Sequence, residues 1–349
     1  MSAKNYHEIK GVIHIHSSYS DGTKNIDDIA RIAENVGLDF IMCSDHMTLQ
    51  PLRDGHEKFV GKTAVIIGYE IEDPKDENHY LAFGLNEELQ AGLAAPEYVK
   101  LVHENGGLGI IAHPDEIRNT FKQYPSFPWN AWNAENFDGL EIWNHMSAWM
   151  ESLKRINFLN MAIHPRRSLR GPTDRVLLLW DKIAQKRKIA GVGSADVHAH
   201  IYRKGPLRLT IFPYKVQFKS IRTHLLLPDP FSDNIHLAKR QILDAIRNCR
   251  VFVSNYRWGD ASGFQFYIDD KGIRYDIGDD PNFSKGMKIL IRSPQKALLR
   301  IIKDGKPEVA STDYEFEYPI AAPGIYRVES MVNRKGWIYS NHIRVLGKQ

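Results

Sequence analysis

Cysteine is scarce in this sequence, and long apolar runs are missing from it. The chain of 349 residues has two cysteines, Cys43 and Cys249, which excludes a disulfide framework and a zinc site built from cysteine. No apolar run approaches the roughly 18 residues of a membrane-spanning helix. The first residues are polar and lack the apolar core of a secretory signal. The sequence therefore predicts a cytoplasmic protein with no membrane partner.

A strong charge of one sign is also absent. The 46 basic and 42 acidic side chains leave a formal net charge of +4, which gives no reason to expect a nucleic-acid partner. Hydrophobic residues make up 43% of the chain and charged residues 25%. That composition is typical of a globular protein, and the length predicts two domains. Histidine, in contrast, occurs 15 times, so any bound metal must be held by nitrogen and oxygen donors.

Residues 1–250 alternate short apolar runs with helical patterns. The apolar periodicity predicts helices over 24–36, 96–105 and 235–247, the first of them capped by Asp21 or Thr23. The predicted strands cover residues 11–16, 38–43, 64–70, 108–112, 139–143 and 189–193. Such alternation is typical of an α/β fold with a parallel β/α barrel or near-barrel.

The pattern changes after residue 250. Helical periodicity fades, and short β-rich runs lie between turn signals such as Asp304-Gly305 and Pro323-Gly324. The predicted strands here cover residues 264–268, 288–291, 297–302, 314–318, 325–332 and 337–345. We therefore expect a second domain, a small Ig-like β-sandwich, over residues 251–349.

The sharpest local signal is the pair His14 and His16 near the start of the chain. Alternation along a strand puts both imidazoles on one face, where a single ion can contact both of them. Asp21 adds a hard oxygen donor just beyond the strand. A lone His-x-His pair is weak, because such pairs also occur as ordinary core or surface residues.

Further donors follow the ends of later strands. Carboxyl ends of parallel strands meet at one rim of a barrel, so these donors converge although they are scattered in sequence. The donors at or beside strand ends are Asp45, His46, Glu70, Glu72, His79, His113, Asp115, Asp196 and His198. The convergence predicts a metal site. Glu72 competes with Glu70 for one position, and His103, on a helical pattern, is an alternative to His79.

Four short motifs carry a family resemblance. In order along the chain they are His14-x-His16, Ser-Asp45-His46, Ala-His113-Pro and Ala-Asp196-Val-His198. They resemble the motifs of the PHP (polymerase and histidinol phosphatase) family over roughly the first 250 residues. The resemblance implies a distorted seven-stranded β/α barrel that binds two or three divalent ions, commonly zinc, manganese or iron.

The resemblance also implies a set of ligands. It assigns His14, His16, Glu70 and Asp196 to one ion; Glu70, His79 and His113 to a second; and Asp21, His46 and His198 to a third. Asp45 is better placed to orient a ligand than to be one.

Such a centre suits hydrolysis of a small-molecule phosphate ester by metal-bound hydroxide. Asp196, Glu70 and His198 are the predicted catalytic residues, with Asp196 as acceptor of the water proton. Arg203, Lys204 and His200, which follow the last motif, are the predicted substrate contacts. His145 is a further candidate for a substrate contact.

Two alternatives remain open. The C-terminal strands around Tyr326 and 337–345 resemble those of the CehA/McbA-like branch, some of whose members hydrolyse carbamates or aryl esters. The aromatic stretch 121–149, which begins at Phe121, offers a pocket wall for an aromatic substrate. The other alternative is a non-catalytic binding module with a vestigial barrel. The oligomeric state is left open, with a homo-oligomer among the options.

Overall fold

A computed structural model of the chain describes residues 6–120, 123–204 and 207–347, and the side chains of residues 202–209 lie outside that description. The strands are β1 (His7–Ile15), β2 (Phe40–His46), β3 (Phe59–Val60), β4 (Thr63–Glu72), β5 (His79–Phe83), β6 (Leu108–Ile111), β7 (Gly139–Asn144), β8 (Ala190–Val197), β9 (Ile201–Lys204), β10 (Leu207–Thr210), β11 (Ile221–Leu227), β12 (Val251–Asn255), β13 (Gln265–Asp270), β14 (Ile273–Asp276), β15 (Lys288–Lys303), β16 (Lys306–Pro319), β17 (Gly324–Val332), β18 (Lys335–Ser340) and β19 (Ile343–Val345). The helices are α1 (Ile26–Asn35), α2 (Gln50–Arg53), α3 (Ala95–Glu104), α4 (His145–Ser152), α5 (Phe158–Ile163), α6 (Asp174–Ala184), α7 (Tyr214–Gln217) and α8 (Ile235–Arg247).

Seven of these strands close into a barrel, which confirms the predicted fold class. Around the ring the order is β1, β2, β4, β5, β6, β7 and β8, and β8 pairs back onto β1. The ring is parallel except at β5, which runs antiparallel to both β4 and β6. The expectation of an all-parallel barrel was therefore wrong at β5. The six residues between β4 and β5 leave no room for the crossover helix that a parallel connection needs.

Two apolar layers hold the barrel together. Its interior is filled by side chains such as Ile13, Met42, Ile66 and Val192, all fully buried. The helices pack outside, and α1 buries Ile26, Ile29, Ala30 and Ala33 along one face, as an amphipathic helix does. The cap of α1 is Asn25, whose side chain accepts a hydrogen bond from the Asp28 N–H. The predicted caps, Asp21 and Thr23, were wrong because the helix begins at Ile26 and not at residue 24.

Residues after 250 form strands around their own apolar core. The two strands predicted over 288–291 and 297–302 are one long strand, β15, with a register shift between Arg292 and Ala297. Strand β14 was missed, and the run predicted over 337–345 breaks between β18 and β19. The division into two domains at residue 250 stays a prediction, because β12 pairs with both β11 and β18 and so continues the sheet across it.

Within the described residues, the helices are all too short or too polar to cross a bilayer.

Candidate metal centre

The predicted ligands lie at one end of the barrel. His14 and His16 lie at the end of β1, His46 lies at the end of β2, and Glu70 lies near the end of β4. His79 begins β5, and it reaches the same rim because β5 runs antiparallel to its neighbours. The other donors, just after β6 and at the end of β8, are His113, Asp196 and His198.

Irregular backbone conformations orient several of these side chains toward the same rim. The register of β1 shifts between Ile13 and Ile15, and His14 has a φ of 65°. Asp196 and His113 also have positive φ, 53° and 28°. Residues with side chains rarely adopt this region, and when they do they cluster at functional sites. The rings of His14 and His16 are nevertheless 5.0 Å apart, as the alternation along the strand predicted.

Glu70 lies at the middle of the donors and is almost fully buried. Its two carboxylate oxygens are within 3.5 Å of nitrogens on five imidazoles: His14 at 3.1 Å, His16 at 3.3 Å, His46 at 3.4 Å, His79 at 3.0 Å and His113 at 3.5 Å. Burial opposes its ionisation, but the surrounding histidines outweigh burial and hold the pKa of Glu70 well below its usual range. Its competitor Glu72 lies at the edge, next to His46 and in reach of His79. Glu70, and not Glu72, is therefore the carboxylate at the centre of the donors.

His16 provides the test of whether a cation fits. It is fully buried, and within the described residues neither ring nitrogen has a hydrogen-bond partner of good geometry. An unpaired buried polar group is costly. Burial and the neighbouring His198 lower its pKa to about 3, so the ring is neutral and keeps a lone pair. A divalent cation bound there would remove the cost, so these residues fit a metal.

The donor atoms form overlapping groups, each with all its atoms within 4.8 Å of one another. The groups are His16, Asp21, His46 and His198; His14, His16 and Glu70; Glu70, His79 and His113; and Glu72, Asp76 and His79. Because His16, Glu70 and His79 each belong to two groups, ions held there would lie close together. His16 joins two of the three predicted ligand sets, a connection that sequence did not reveal.

Asp196 completes the centre from β8. One of its oxygens is 3.7 Å from the Nε2 atoms of His14 and His16 and 3.6 Å from Nδ1 of His198. Burial raises the pKa of Asp196, but the nearby histidines lower it further, so the carboxyl is ionised. Asp21, the most exposed of the predicted ligands, lies 3.2 Å from His198 and 3.6 Å from His46.

Two other candidates from the sequence, Asp45 and His103, are not among the grouped donors. Asp45 accepts hydrogen bonds from the N–H and the hydroxyl of Ser17, both at 2.7 Å, and from Ser20 at 2.6 Å. It therefore fixes the loop that leads to Asp21. His103, the alternative to His79, is exposed on α3.

Glu141 is the residue that sequence reasoning missed. It lies on β7, is buried, and accepts hydrogen bonds from His14 Nδ1 at 2.7 Å, from the His113 N–H at 2.7 Å and from Asn144 at 2.8 Å. A carboxylate there fixes the tautomer of His14 and leaves Nε2 facing the other donors. The available signal was an acid inside the apolar run of β7.

The predicted substrate contacts fare differently. The side chains of Arg203 and Lys204 lie outside the described residues, as does Phe121. His200 is exposed and stacks on His198, with ring centroids 4.9 Å apart. His145 is fully buried and packs against Phe212 instead of facing the centre.

Of the aromatic stretch, Phe127 is the ring next to the donors. It stacks on His79 at 4.8 Å, and its carbonyl lies 3.2 Å from His113 Nδ1. Trp129, Trp143 and Trp149 are buried in apolar clusters. These three rings therefore serve in packing, Tyr124 and Trp132 are exposed, and Phe127 lies beside the donors.

Residues 13–157 match the family model of the PHP domain. Over that part of the chain the family model confirms the resemblance that the motifs predicted. An uncharacterized protein of Methanocaldococcus jannaschii is 29% identical over 119 residues, which covers 30% of this chain and 68% of that protein. The CehA/McbA-like branch stays a prediction.

Solved structures resemble the chain at TM-scores below 0.5. A two-domain protein from Bacteroides vulgatus ATCC 8482, described as containing a predicted PHP-like metal-dependent phosphoesterase, has a TM-score of 0.48 and 14% identity, covering 97% of this chain and 96% of that one. PsfC from Pseudomonas syringae PB-5123 has a TM-score of 0.43 and 13% identity, covering 69% and 89%. Endonuclease Q, solved with a duplex substrate, has a TM-score of 0.41 and 16% identity, covering 77% and 65%. Likeness at this level does not transfer an activity to this chain.

Proposed function

We propose that the chain is a metal-dependent hydrolase, and specifically a phosphoesterase that acts on a small-molecule phosphate ester. The observation that carries this proposal is the sharing of Glu70 among five imidazoles, which fuses separate donor groups into one cluster. Clustered divalent ions are the arrangement that phosphoester hydrolysis uses.

The proposed ligand sets follow the sequence prediction. His14, His16, Glu70 and Asp196 would hold one ion; Glu70, His79 and His113 a second; Asp21, His46 and His198 a third. Zinc, manganese and iron all accept such nitrogen and oxygen donors. Divalent ions bound here would lower the pKa of water at the site toward neutral pH and would compensate the negative charge of phosphoryl oxygens.

The side chains of the protein would accept a proton, orient a ligand and contact the substrate. Asp196, ionised and 3.7 Å from two imidazoles, is placed to accept a proton from water that enters the cluster. Glu141 orients His14 through its Nδ1 hydrogen bond of 2.7 Å. His198 and His200 stack on each other, and His200 offers an exposed nitrogen to the substrate.

A phosphate ester also needs a cation from the protein. Arg118 is a candidate in addition to Arg203 and Lys204. Its guanidinium lies 5.7 Å from the centre of the Phe127 ring, which in turn stacks on His79. One terminal nitrogen pairs with Glu116 at 2.7 Å, while Nε is buried with no hydrogen-bond partner among the described residues. A planar guanidinium of this kind suits recognition of phosphate oxygens.

One observation favours the carbamate or aryl ester alternative. Phe127, stacked on His79 at 4.8 Å, would pack against an aromatic leaving group beside the donors. The same cluster would serve either bond, so the experiment must separate the two substrates.

The test starts from protein stripped of metal with a chelator and then dialysed against manganese, zinc or ferrous iron. Each form is assayed with p-nitrophenyl phosphate, bis-p-nitrophenyl phosphate and 1-naphthyl methylcarbamate. We expect metal-dependent turnover of a phosphate ester, and loss of turnover with retained folding in Asp196→Asn. Asp181→Asn is the matched control. Asp181 is a buried carboxylate that is hydrogen-bonded to Arg327 and His342 and not to the donors, so this variant should stay active.

Two results would count against the proposal. Turnover of the carbamate alone would replace the phosphoesterase with the alternative hydrolase. Fewer than one ion per chain after reconstitution would instead favour a non-catalytic binding module, because the donor cluster would then not be a metal site.

A further inference from the structure

A second surface, separate from the donor cluster, has an unusual composition. A 3-10 helix, Arg155–Asn157, runs directly into α5. Ile156, Leu159 and Ile163 point outward from this segment with 95%, 73% and 68% of their surface exposed. Their spacing of three and four residues places them on one helical face. Large aliphatic side chains scattered singly on a surface are ordinary, but an aligned row of three indicates a contact.

The opposite face of the segment is anchored to the protein. Met161 is buried in a small apolar cluster with Trp149, Leu153 and Phe212. The Trp149 indole donates a hydrogen bond of 3.1 Å to the Met161 carbonyl. The exposed row therefore belongs to a packed element, and its exposure is not a consequence of the segment standing away from the protein.

Basic residues flank the row on both sides. They are Lys154, Arg155, Arg166, Arg167 and Arg170, and no acidic residue occurs between Glu151 and Asp174. Glu151 itself pairs with Arg175 at 2.9 Å. Among the described residues none of the five cations has an ion-pair partner, but Arg166 donates a hydrogen bond of 2.8 Å to the Lys219 carbonyl and Arg170 lines a separate groove with Asp174 and Tyr339. We call the exposed cations Lys154, Arg155 and Arg167, together with the three aliphatic side chains, the basic apolar surface.

The charge indicates what covers this surface. A two-fold symmetric dimer would bring the same patch of each copy together and set like charges against each other. A nucleic acid would satisfy the cations but would not bury three aliphatic side chains. An anionic lipid surface satisfies both, because headgroups pair with Lys and Arg while aliphatic side chains enter the boundary with the acyl chains.

We propose that the basic apolar surface docks the protein on an anionic bilayer. This departs from the expectation of no membrane partner, which rested on the absence of a spanning helix, whereas a docked protein lies on the surface. The segment follows α4, which begins directly after Asn144 at the end of β7. The proposal does not depend on the proposed hydrolase activity.

The test is co-sedimentation of the full chain with phosphatidylcholine vesicles and with vesicles in which about one-third of the lipid is phosphatidylserine. We expect sedimentation with the anionic vesicles, little with the neutral ones, and weakening as salt rises. Ile156→Ser/Leu159→Ser and Lys154→Gln/Arg155→Gln should each lower the partition coefficient about tenfold or more.

Matched controls carry the same substitutions elsewhere on the surface. Leu237→Ser/Ile273→Ser removes two other exposed aliphatic side chains, and Lys285→Gln/Lys296→Gln removes two other exposed cations. Both should bind as the unaltered chain does, and circular dichroism should show that every variant is folded.

Three outcomes would overturn the proposal. The unaltered chain would stay in the supernatant with anionic vesicles, or the controls would lose binding as strongly as the test variants. The third is a dimer in analytical ultracentrifugation that Ile156→Ser/Leu159→Ser dissociates, which would mean that a second copy covers the row. Since none of these readouts is turnover, failure here is distinct from failure of the hydrolase proposal.

Discussion

Replacing Glu141 by glutamine should weaken metal binding without touching a ligand. One Glu141 oxygen accepts from the His113 N–H and from Asn144, and the other accepts from His14 Nδ1. A glutamine side chain has a single oxygen, and this oxygen should face the His113 N–H and Asn144, because two donors lie on that side. Its amide NH₂ then faces His14 Nδ1, which must become an acceptor. The ring proton moves to Nε2, and His14 loses the lone pair that faces Glu70.

The size of the effect follows from the bond that is lost. A hydrogen bond to a charged group contributes about 1.5–3 kcal/mol, and about 1.4 kcal/mol is a factor of ten in an equilibrium constant. We therefore expect metal affinity to fall about 10- to 100-fold, the range usual for partners that orient metal-ligating histidines. Turnover at limiting metal should fall in parallel and recover in part at high metal concentration.

The assay is metal content per chain after equilibrium dialysis against buffered free zinc or manganese. Thermal unfolding of the metal-free protein is measured in parallel, to separate loss of affinity from loss of fold. Asp181→Asn serves again as the buried-carboxylate control, and it should lower stability while leaving the binding midpoint unchanged. An unchanged midpoint in Glu141→Gln would refute the role assigned to Glu141.

Two further predictions concern stability. Asn341 is fully buried, and its side chain both donates a hydrogen bond to and accepts one from the Gly191 backbone, each at 2.8 Å. Because Asn341→Ala removes the partner of both backbone groups, the free energy of unfolding should fall by about 2–4 kcal/mol. Urea titration measures this, with the exposed substitution Asn160→Ala as control. An unchanged unfolding midpoint in Asn341→Ala would show that water replaces the side chain. Burial lowers the pKa of His145 from 6.5 to about 3. As pH falls, the unfolded chain therefore binds a proton at this residue before the folded protein does. The free energy of unfolding, which is fully present above pH 6.5, should decrease by about 2 kcal/mol between neutral pH and pH 5. His145→Gln should flatten that acid slope, and an equal slope in both proteins would contradict the assignment.

The barrel could be predicted from sequence because its strands and helices carry local patterns. The predicted strand over 64–70 and the structural strand β4 share their core residues, and the helix predicted over 235–247 coincides with α8. The errors lie where tertiary contacts override local pattern. The turn that makes β5 antiparallel is short, and the long strand β15 continues through a register shift that reads as a turn in the sequence.

The candidate site divides in the same way. Motif order and strand ends led to the histidines and to Asp196, because those residues stand next to apolar runs that are visible in the sequence. The choice between Glu70 and Glu72 was open, since both lie on the same face of one strand. The tertiary structure separates them, because Glu70 meets five imidazoles whereas Glu72 lies at the edge. Glu141 gave no motif, since its partners come from β1 and the residues after β6.

By itself the sequence determined the kind of donor and the order of the strands that carry them, because scarce cysteine leaves nitrogen and oxygen ligands and because apolar periodicity is local. Only the tertiary structure decided which donors lie close enough together to hold the same ion. That depends on the closure of the ring between β8 and β1, on the direction of β5, and on the positive φ of His14 and Asp196. Each of these is set by contacts between residues far apart in the chain, which no local pattern records.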